Sequence, residues 1–301
     1  MIDKLSIATF TNLGYLAHSL GFDPIEADLT GKTVVITGAT GGLGRSTAIT
    51  LGEMGARVIV VARDQDKLDE TVAEIGPRAV SLRADLSLMS EIRRLAGRLQ
   101  DEERIDIMVN NVGVLFPERR MTSEGLERTL AVNLAGHFLL TNRLVPKLEE
   151  QGTGRIINVT SGGMYAERIR PDDLQYERGS YRGSVAYART KRGQVILTEM
   201  WAEQLAGSGV VVHVMHPGWV KTAGVAESLP TFNLVMKPFL RSVDQGADTI
   251  VWLAAADEPG GSSGEFWFDR RRVPTHLLER TRETPQERDA LWNRLEELTS
   301  A

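Results

Sequence analysis

The chain has 301 residues, of which 42% are hydrophobic and 25% are charged, and these values are typical of a globular protein with a sizeable core. Its formal net charge of −5 offers no basic surface that would attract nucleic acid. Because there is no cysteine, disulfides and thiolate catalysis are excluded, and because the five histidines show no metal-binding spacing, no metal site is expected.

The first predicted element is an N-terminal helix over residues 1–21, within an extension that ends at residue 28. Apolar residues recur at a mostly helical spacing, with polar residues between them: Ile2, Leu5, Leu13, Leu16 and Leu20. We predict an amphipathic helix that packs on the body of the protein; the alternative is a helix that binds a partner or touches a membrane surface peripherally. Because neither a signal peptide nor an apolar run of about 18 residues is evident, we expect a cytoplasmic protein without a membrane span.

Strand and helix patterns then alternate along the chain. The predicted strands are β-branched runs at 33–37, 57–62, 79–83, 105–110, 155–160 and 210–216. Helical spacing lies between them, at 43–54, 64–75, 87–103, 123–149 and 184–206. Near-continuous apolar strands joined by helices predict an α/β fold, a doubly wound parallel sheet of the Rossmann type with helices on both faces. We expect a single domain over residues 29–269.

A C-terminal helical extension is predicted over residues 270–301, after an edge strand at 265–268. Residues 284–287 have the types expected of an N-cap, a first-turn proline and a capping box. The leucines that follow form a one-sided apolar stripe: Leu291, Leu295 and Leu298. We therefore predict a terminal helix that covers part of the core.

A glycine-rich turn joins the first strand of the predicted sheet to the next helix. Such a turn leaves backbone N–H groups and a helix N-terminus bare, where a pyrophosphate can bind. The turn residues that we expect to contact a dinucleotide are Gly38, Thr40, Gly41, Gly42, Leu43 and Gly44.

Arg63 bears on which dinucleotide is bound. NAD-binding folds usually place an acidic residue about 20 positions after the glycines, to hold the ribose 2′-hydroxyl. Here the second strand ends in Val61, Ala62 and Arg63. A guanidinium suits a 2′-phosphate, so NADP is favoured over NAD. A solvated surface arginine is the alternative for Arg63, and the neighbouring Asp64 leaves NAD open.

Further candidate contacts follow the later strands, whose carboxyl ends meet at one edge of a parallel sheet. They are Asp85 and Leu86 after the third strand, Asn111, Val112 and Gly113 after the fourth, and Pro217, Gly218, Val220 and Thr222 after the sixth. We expect the Asp85 carboxylate to accept from an adenine amino group and Gly113 to admit the coenzyme close to the backbone.

Tyr187 and Lys191 lie four residues apart on a predicted helix and therefore project from one face. A phenol has an ordinary pKa of about 10, which a nearby ammonium and an oxidised nicotinamide would lower. Ser161, at the end of the fifth strand, can donate a hydrogen bond to a substrate oxygen. Asn133 stands mid-helix, where asparagine is unfavourable; we interpret it as the anchor of a water relay, with a solvent-facing or capping role as the alternative.

In this order, the motifs resemble the short-chain dehydrogenase/reductase family over about residues 31–260. Those that carry the resemblance are 37–44, Asp85, 110–113, Asn133, Ser161, Tyr187, Lys191 and 217–218. The resemblance implies that Tyr187 is the general acid/base and that Lys191 modulates its pKa and binds the ribose. Ser161 would polarise the carbonyl, and Asn133 would hold a water linked to Lys191. Val112 departs from the alanine that is usual in the family.

An insertion indicates which branch of the family the chain resembles. Ser161 and Tyr187 are 26 residues apart, more than the family commonly places between them, and residues 168–175 within this interval resemble the retinol-dehydrogenase-like branch. Further motifs resemble the branch of dehydrogenase/reductase family member 12, at 161–164, 216–219, 245–249, 268–271 and 275–277.

The resemblance implies hydride transfer between a nicotinamide coenzyme and a small-molecule carbonyl or alcohol. Apolar residues within 229–241 favour a lipophilic substrate, with core packing as the alternative: Leu229, Phe232, Leu234, Val235, Met236, Phe239 and Leu240. A catalytically weak NADP-binding regulatory or scaffold protein is the alternative function, and a nucleotide-sugar epimerase is a third. The resemblance also implies homodimers or homotetramers built from the helices at 123–149 and 184–206, which the end extensions could block or replace.

Overall fold

One sheet organises the computed structural model, which describes residues 7–222, 234 and 236–300. Its strands are β1 Thr33–Thr37, β2 Arg57–Ala62, β3 Ala79–Arg83, β4 Ile107–Asn110, β5 Gly154–Val159, β6 Val210–Met215, β7 Phe266–Phe268 and β8 Arg271–Arg272. They lie in the order β3-β2-β1-β4-β5-β6-β7-β8, all parallel except for the last pair. The predicted doubly wound Rossmann-type sheet is confirmed, and its direction of winding reverses between β1 and β4. A crevice forms outside the carboxyl ends of the strands at such a reversal.

Helices connect the strands and cover both faces of the sheet. They are α1 Asn12–Ser19, α2 Gly42–Glu53, α3 Gln65–Ile75, α4 Met89–Gln100, α5 Arg128–Leu130, α6 Gly136–Gln151, α7 Gly183–Gln204, α8 Val243–Ala255 and α9 Pro285–Ser300. Alternate residues of β1 enter the two layers: Val34 and Ile36 pack with α2 and α8, and Val35 packs with α4, α6 and α7. This double burial explains why the strands read as unbroken apolar runs.

The helix predicted over 123–149 is built differently. It begins at Arg128, because the Glu127 carboxylate accepts from the backbone N–H groups of Thr129 and Leu130, at 2.9 and 2.7 Å. A π-helical segment, Ala131–Ala135, then joins α5 to α6. Such π segments are rare in proteins, and those that occur often lie at functional sites.

The C-terminal helix agrees with its prediction. Thr284 and Glu287 form the reciprocal capping box, with hydrogen bonds of 2.8 and 3.2 Å. The predicted stripe packs inward: Leu291 and Leu295 are fully buried and Leu298 is partly buried. The predicted edge strand is wrong in one respect, because β8 pairs with β7 and takes the edge position.

The N-terminal helix is confirmed over α1 and contacts the body of the protein, but the face predicted to make the contacts is wrong. Leu13, Leu16 and Leu20, expected to face the body, are 62%, 52% and 91% exposed. The ring of Phe10, just before α1, makes the inward contacts instead, with aromatic residues near the sheet. Ile2 and Leu5 lie outside the described residues. Among the described residues, every helix is too short or too polar to span a bilayer.

Candidate active site

The glycine-rich turn after β1 requires glycine at two positions. Gly38 has φ +67°, and a Cβ atom on it would lie 3.0 Å from the Val112 Cα. A Cβ atom on Gly44 would lie 2.4 Å from both the Asn111 Nδ2 and the Gly38 carbonyl oxygen. The N-cap residue of α2, Gly41, provides no side-chain hydrogen bond to the first-turn N–H groups. The turn therefore fits a dinucleotide pyrophosphate, whose oxygens would accept hydrogen bonds from those N–H groups.

Asn111 braces this turn. Its Nδ2 donates to the carbonyl oxygens of Thr37 and Gly38, at 2.8 and 3.3 Å, and its backbone N–H donates to the Thr37 hydroxyl at 3.0 Å. The turn after β4 is thereby fixed against the turn after β1. Its side-chain nitrogen is committed to the protein, so Asn111 holds the turn in shape through Nδ2.

Three predicted contacts from distant parts of the chain meet beside the turn. A Cβ atom on Gly246 of α8 would lie 2.6 Å from Leu43 and 2.5 Å from Val220, so these two side chains converge on the glycine. Thr222 lies next to Gly42, whose Cβ would be 3.4 Å from the threonine methyl. Gly246 itself was not predicted as a site residue; its absent side chain lets α8 approach the turn.

The ends of β2 and β3 present two arginines. Arg63 is exposed, and the exposed Arg83 donates through Nε to the Arg63 carbonyl oxygen at 3.1 Å. Arg83 was missed because its proximity follows from the register of the sheet, which pairs it with Ala62. The Asp64 carboxylate accepts from the Lys67 backbone N–H at 3.2 Å, as the N-cap of α3. Asp64 is therefore already engaged locally.

Asp85 and Leu86 follow β3 as predicted, with different surroundings. The Asp85 carboxylate accepts from the Ser87 backbone N–H at 2.9 Å and is partly exposed. Leu86 is 6% exposed and packs in the core between the sheet and α4. Any contact that Leu86 makes with a coenzyme would come from its backbone.

Lys191 lies buried under the carboxyl end of β5. Its Nζ donates to the Val159 carbonyl oxygen at 2.9 Å and lies 5.6 Å from the centre of the Tyr187 ring. A Cβ atom on Gly113 would lie 3.2 Å from Nζ and 3.7 Å from the Asn133 Oδ1, so the turn after β4 touches both residues. Burial lowers the pKa of Lys191 to about 7.

The Tyr187 hydroxyl shares this site with Ser161. Burial raises the pKa of Tyr187, and a hydrogen bond with the Ser161 side chain opposes that rise. The direction is opposite to the one predicted from the sequence, because in the protein alone the loss of solvation outweighs any effect of the Lys191 ammonium. The phenol therefore keeps its proton at neutral pH and is a potential proton donor.

Asn133 occupies the π-helical segment, with both ends of its side chain in use. Its Oδ1 accepts from the Val114 backbone N–H at 2.8 Å, and its Nδ2 donates to the Val114 carbonyl and the Thr190 hydroxyl at 2.9 and 3.2 Å. Asn133 is fully buried, which rules out the solvent-facing alternative. The side chain ties α7 to the turn after β4.

Two buried residues behind Asn133 escaped prediction. Gln194 Nε2 lies 2.7 Å from the Asn133 carbonyl oxygen and 2.7 Å from the His137 Nδ1. Burial and the nearby Lys191 lower the pKa of His137 to about 3, so its ring is neutral and Nδ1 accepts from the glutamine. The available signal was that Gln194 lies seven residues after Tyr187, on the same face of α7.

The chain matches the family model described as short chain dehydrogenase over residues 32–231. It is 38% identical, over 298 residues, to Dehydrogenase/reductase SDR family member 12 of Bos taurus, a match that covers 96% of this chain and 93% of that protein. It is 33% identical, over 261 residues, to Retinol dehydrogenase 13 of Homo sapiens, with coverage of 82% and 79%.

Solved structures show the same fold. The 3-ketoacyl-(acyl-carrier-protein) reductase from Brucella melitensis complexed with NADH superposes with a TM-score of 0.66 and 26% identity, covering 79% of this chain and 96% of that one. The short-chain dehydrogenase from Sphingobium yanoikuyae in complex with NADPH has a TM-score of 0.62 and 27% identity, with coverage of 74% and 84%. Part of this chain therefore lies outside each superposition.

Proposed function

Since the chain belongs to the short chain dehydrogenase family, and to its retinol-dehydrogenase-like branch, we propose that it reduces or forms a lipophilic carbonyl compound with NADP as coenzyme and Tyr187 as general acid/base. Family membership makes it an NAD(P)-dependent oxidoreductase of alcohol and carbonyl groups. The coenzyme preference, the substrate class and the role of the tyrosine are the proposed parts.

One observation carries the proposal for the chemistry. A phenol, a hydroxyl and a buried amine converge at the carboxyl end of β5: the Ser161 side chain is close enough to oppose the rise that burial causes in the pKa of Tyr187, and the Lys191 Nζ is 5.6 Å from the tyrosine ring. These residues adjoin the turn after β4 through Gly113. A proton donor, a second hydrogen-bond donor and a cation thus lie next to the crevice where a dinucleotide fits.

Each of these residues has a separate task in carbonyl reduction. Bound NADPH would supply the hydride that the carbonyl carbon receives. The Tyr187 hydroxyl donates its proton to the oxygen that becomes an alkoxide, while the Ser161 hydroxyl donates a hydrogen bond to the same oxygen. The Lys191 ammonium, held by the Val159 carbonyl, stabilises the phenolate that remains. In alcohol oxidation the proton moves in the opposite direction.

The end of β2 supports a preference for NADP. Arg63 and Arg83 bring two exposed arginine side chains to the neighbouring ends of β2 and β3, a pairing suited to a 2′-phosphate. The Asp64 carboxylate, which would favour the 2′-hydroxyl of NAD, caps α3 instead. The solved relatives bind NADH in one case and NADPH in the other, so they do not decide between the coenzymes.

The coenzyme proposal is tested by binding. We expect Arg63→Ala to weaken NADPH binding by about tenfold, the loss of a charge-assisted phosphate contact of roughly 1.4 kcal/mol, with little change for NADH. Titration of coenzyme fluorescence measures both affinities. Arg78→Ala, an exposed arginine at the other end of β3, is the matched control and should change neither. Equal weakening of NADPH and NADH by Arg63→Ala would contradict the phosphate role.

Turnover tests the substrate class. NADPH oxidation is followed by absorbance with a panel of apolar and polar aldehydes and ketones, and we expect the apolar members to have the higher kcat/KM. Leu234 and Phe239, which are 76% and 45% exposed, are the described residues from the apolar segment that support this expectation. Leu229, Phe232 and Val235 lie outside the described residues. NADPH binding without turnover of any compound would favour the scaffold alternative.

A further inference from the structure

Residues 7–22 lie outside the part of the chain that the family model matches, so family membership assigns them no role. One buried side chain, Arg241, fastens them to the body and is 1% exposed. Its guanidinium donates to three consecutive carbonyl oxygens, those of Thr9, Phe10 and Thr11, at 2.7, 3.1 and 3.2 Å. Such a set of bonds fixes the backbone of the segment at this point.

The same arginine reaches the coenzyme side of the crevice. It pairs with the buried Asp269 through two hydrogen bonds of 2.5 and 2.8 Å, and Asp269 also binds His18 of α1 at 2.8 Å. Its Nη1 lies 3.3 Å from the Pro217 carbonyl oxygen. A Cβ atom on Gly218 would lie 2.5 Å from the arginine Nε. The N-terminal segment and the Pro217 turn are therefore held by one group.

This attachment places the Phe10 ring against Gly162, the residue that follows Ser161 in the chain. A Cβ atom on Gly162, the residue after Ser161, would lie 3.5 Å from two carbons of the Phe10 ring. The ring lies 5.7 Å from the Trp219 ring and 4.9 Å from the buried His216 ring. Phe10 and Trp219 are both partly exposed. The Phe10 ring thus lies next to the residue that follows the serine, and the Trp219 ring lies 5.7 Å from the Phe10 ring.

We propose that Phe10 and Trp219 form one aromatic wall of the substrate mouth, and that Phe10 is a specificity-determining residue for carbonyl compounds with a flat ring next to the reacting carbon. The inference rests on the proposed function, because it takes the substrate oxygen to lie at Ser161. Paired aromatic rings offer a flat apolar surface on which another ring packs edge-to-face or offset-stacked. Because Arg241 holds both the segment and the Pro217 turn, the wall keeps a fixed position relative to the crevice.

The test compares a ring-bearing and a small aldehyde in the same enzyme. With NADPH as coenzyme, kcat/KM is measured for 2-naphthaldehyde and for propanal. We expect Phe10→Ala to lower the value for 2-naphthaldehyde by about tenfold, which corresponds to one lost ring contact, and to leave that for propanal within about twofold. Phe10→Leu keeps the apolar volume but not the ring. Its kcat/KM for 2-naphthaldehyde should lie between those of Phe10→Ala and the unchanged protein. An equal loss for both aldehydes would show a merely structural role and overturn the proposal.

A binding measurement makes the outcome independent of turnover. Calorimetric titration of the full chain with 2-naphthol, which cannot be reduced, should give a Kd about tenfold weaker for Phe10→Ala than for the unchanged protein. Leu13→Ala, on the same segment but 62% exposed, is the matched control and should bind normally. If the unchanged protein does not bind 2-naphthol, the wall is wrong. If it binds 2-naphthol through Phe10 but reduces neither aldehyde, the wall stands and the proposed function fails.

Discussion

Replacing Gln194 with leucine removes a hydrogen-bond donor that serves two buried acceptors behind the proposed active site. The Nε2 group of Gln194 lies 2.7 Å from the Asn133 carbonyl oxygen and 2.7 Å from the His137 Nδ1. All three residues are 1% exposed or less, so water cannot readily replace the lost donor. Leucine has a similar volume, so the change tests hydrogen bonding rather than packing.

The expected loss follows from these contacts. A buried acceptor left without its partner costs about 1–3 kcal/mol, and two are affected. Part of this cost is offset, because the Gln194 Oε1 is itself buried without a partner and disappears in the variant. We therefore expect Gln194→Leu to reduce the free energy of unfolding by about 2 kcal/mol.

Urea denaturation followed by tryptophan fluorescence measures this difference. Gln204→Leu, an exposed position on the same helix, is the matched control, and we expect its effect to stay within about 0.5 kcal/mol. The reasoning would be refuted if Gln194→Leu cost no more than Gln204→Leu. It would also be refuted if the variant were more stable than the unchanged protein.

Two further predictions concern charge. Because burial lowers the pKa of Lys191 to about 7, its ammonium is present below that pH and lost above it, so kcat/KM with varied NADPH should fall as the pH rises through about 7. Lys191→Met should lack that fall, and a profile identical to that of the unchanged protein would exclude Lys191 as its cause. Asp269→Asn, which breaks the buried pair with Arg241, should cost about 3 kcal/mol in urea denaturation and speed proteolysis of residues 7–22. The exposed ion pair between Asp172 and Arg178 supplies the control, since Asp172→Asn should lower the free energy of unfolding by less than about 0.5 kcal/mol. Equal losses for Asp269→Asn and Asp172→Asn would contradict the anchoring role.

The sequence predicted what depends on local pattern. Strands β1 to β6 were predicted within two residues of their observed bounds, because strands buried on both faces are continuous apolar runs. The spacing of Tyr187 and Lys191 fixed their common helical face, and the glycine pattern fixed the turn after β1. These features need no knowledge of a distant partner.

Features that depend on distant contacts were not predictable. The leucines of α1 have the spacing of a packing face, yet they are exposed. Arg241, about 230 positions away, binds the backbone just before them, and the Phe10 ring faces the body instead. Nothing in the sequence around α1 indicates that Arg241 binds this backbone. The proximity of Arg83 to Arg63 likewise requires the register between β2 and β3. The pKa of Tyr187 depends on burial, which spacing does not reveal.

The central claim is that the Tyr187 hydroxyl transfers the proton. The most direct measurement is single-turnover oxidation of NADPH by a reducible aldehyde in Tyr187→Phe, beside the affinity of the same variant for NADPH. Loss of a positioned proton donor should slow the step by about 100-fold or more, while the Kd for NADPH stays within about threefold. Turnover at the rate of the unchanged protein would contradict the claim.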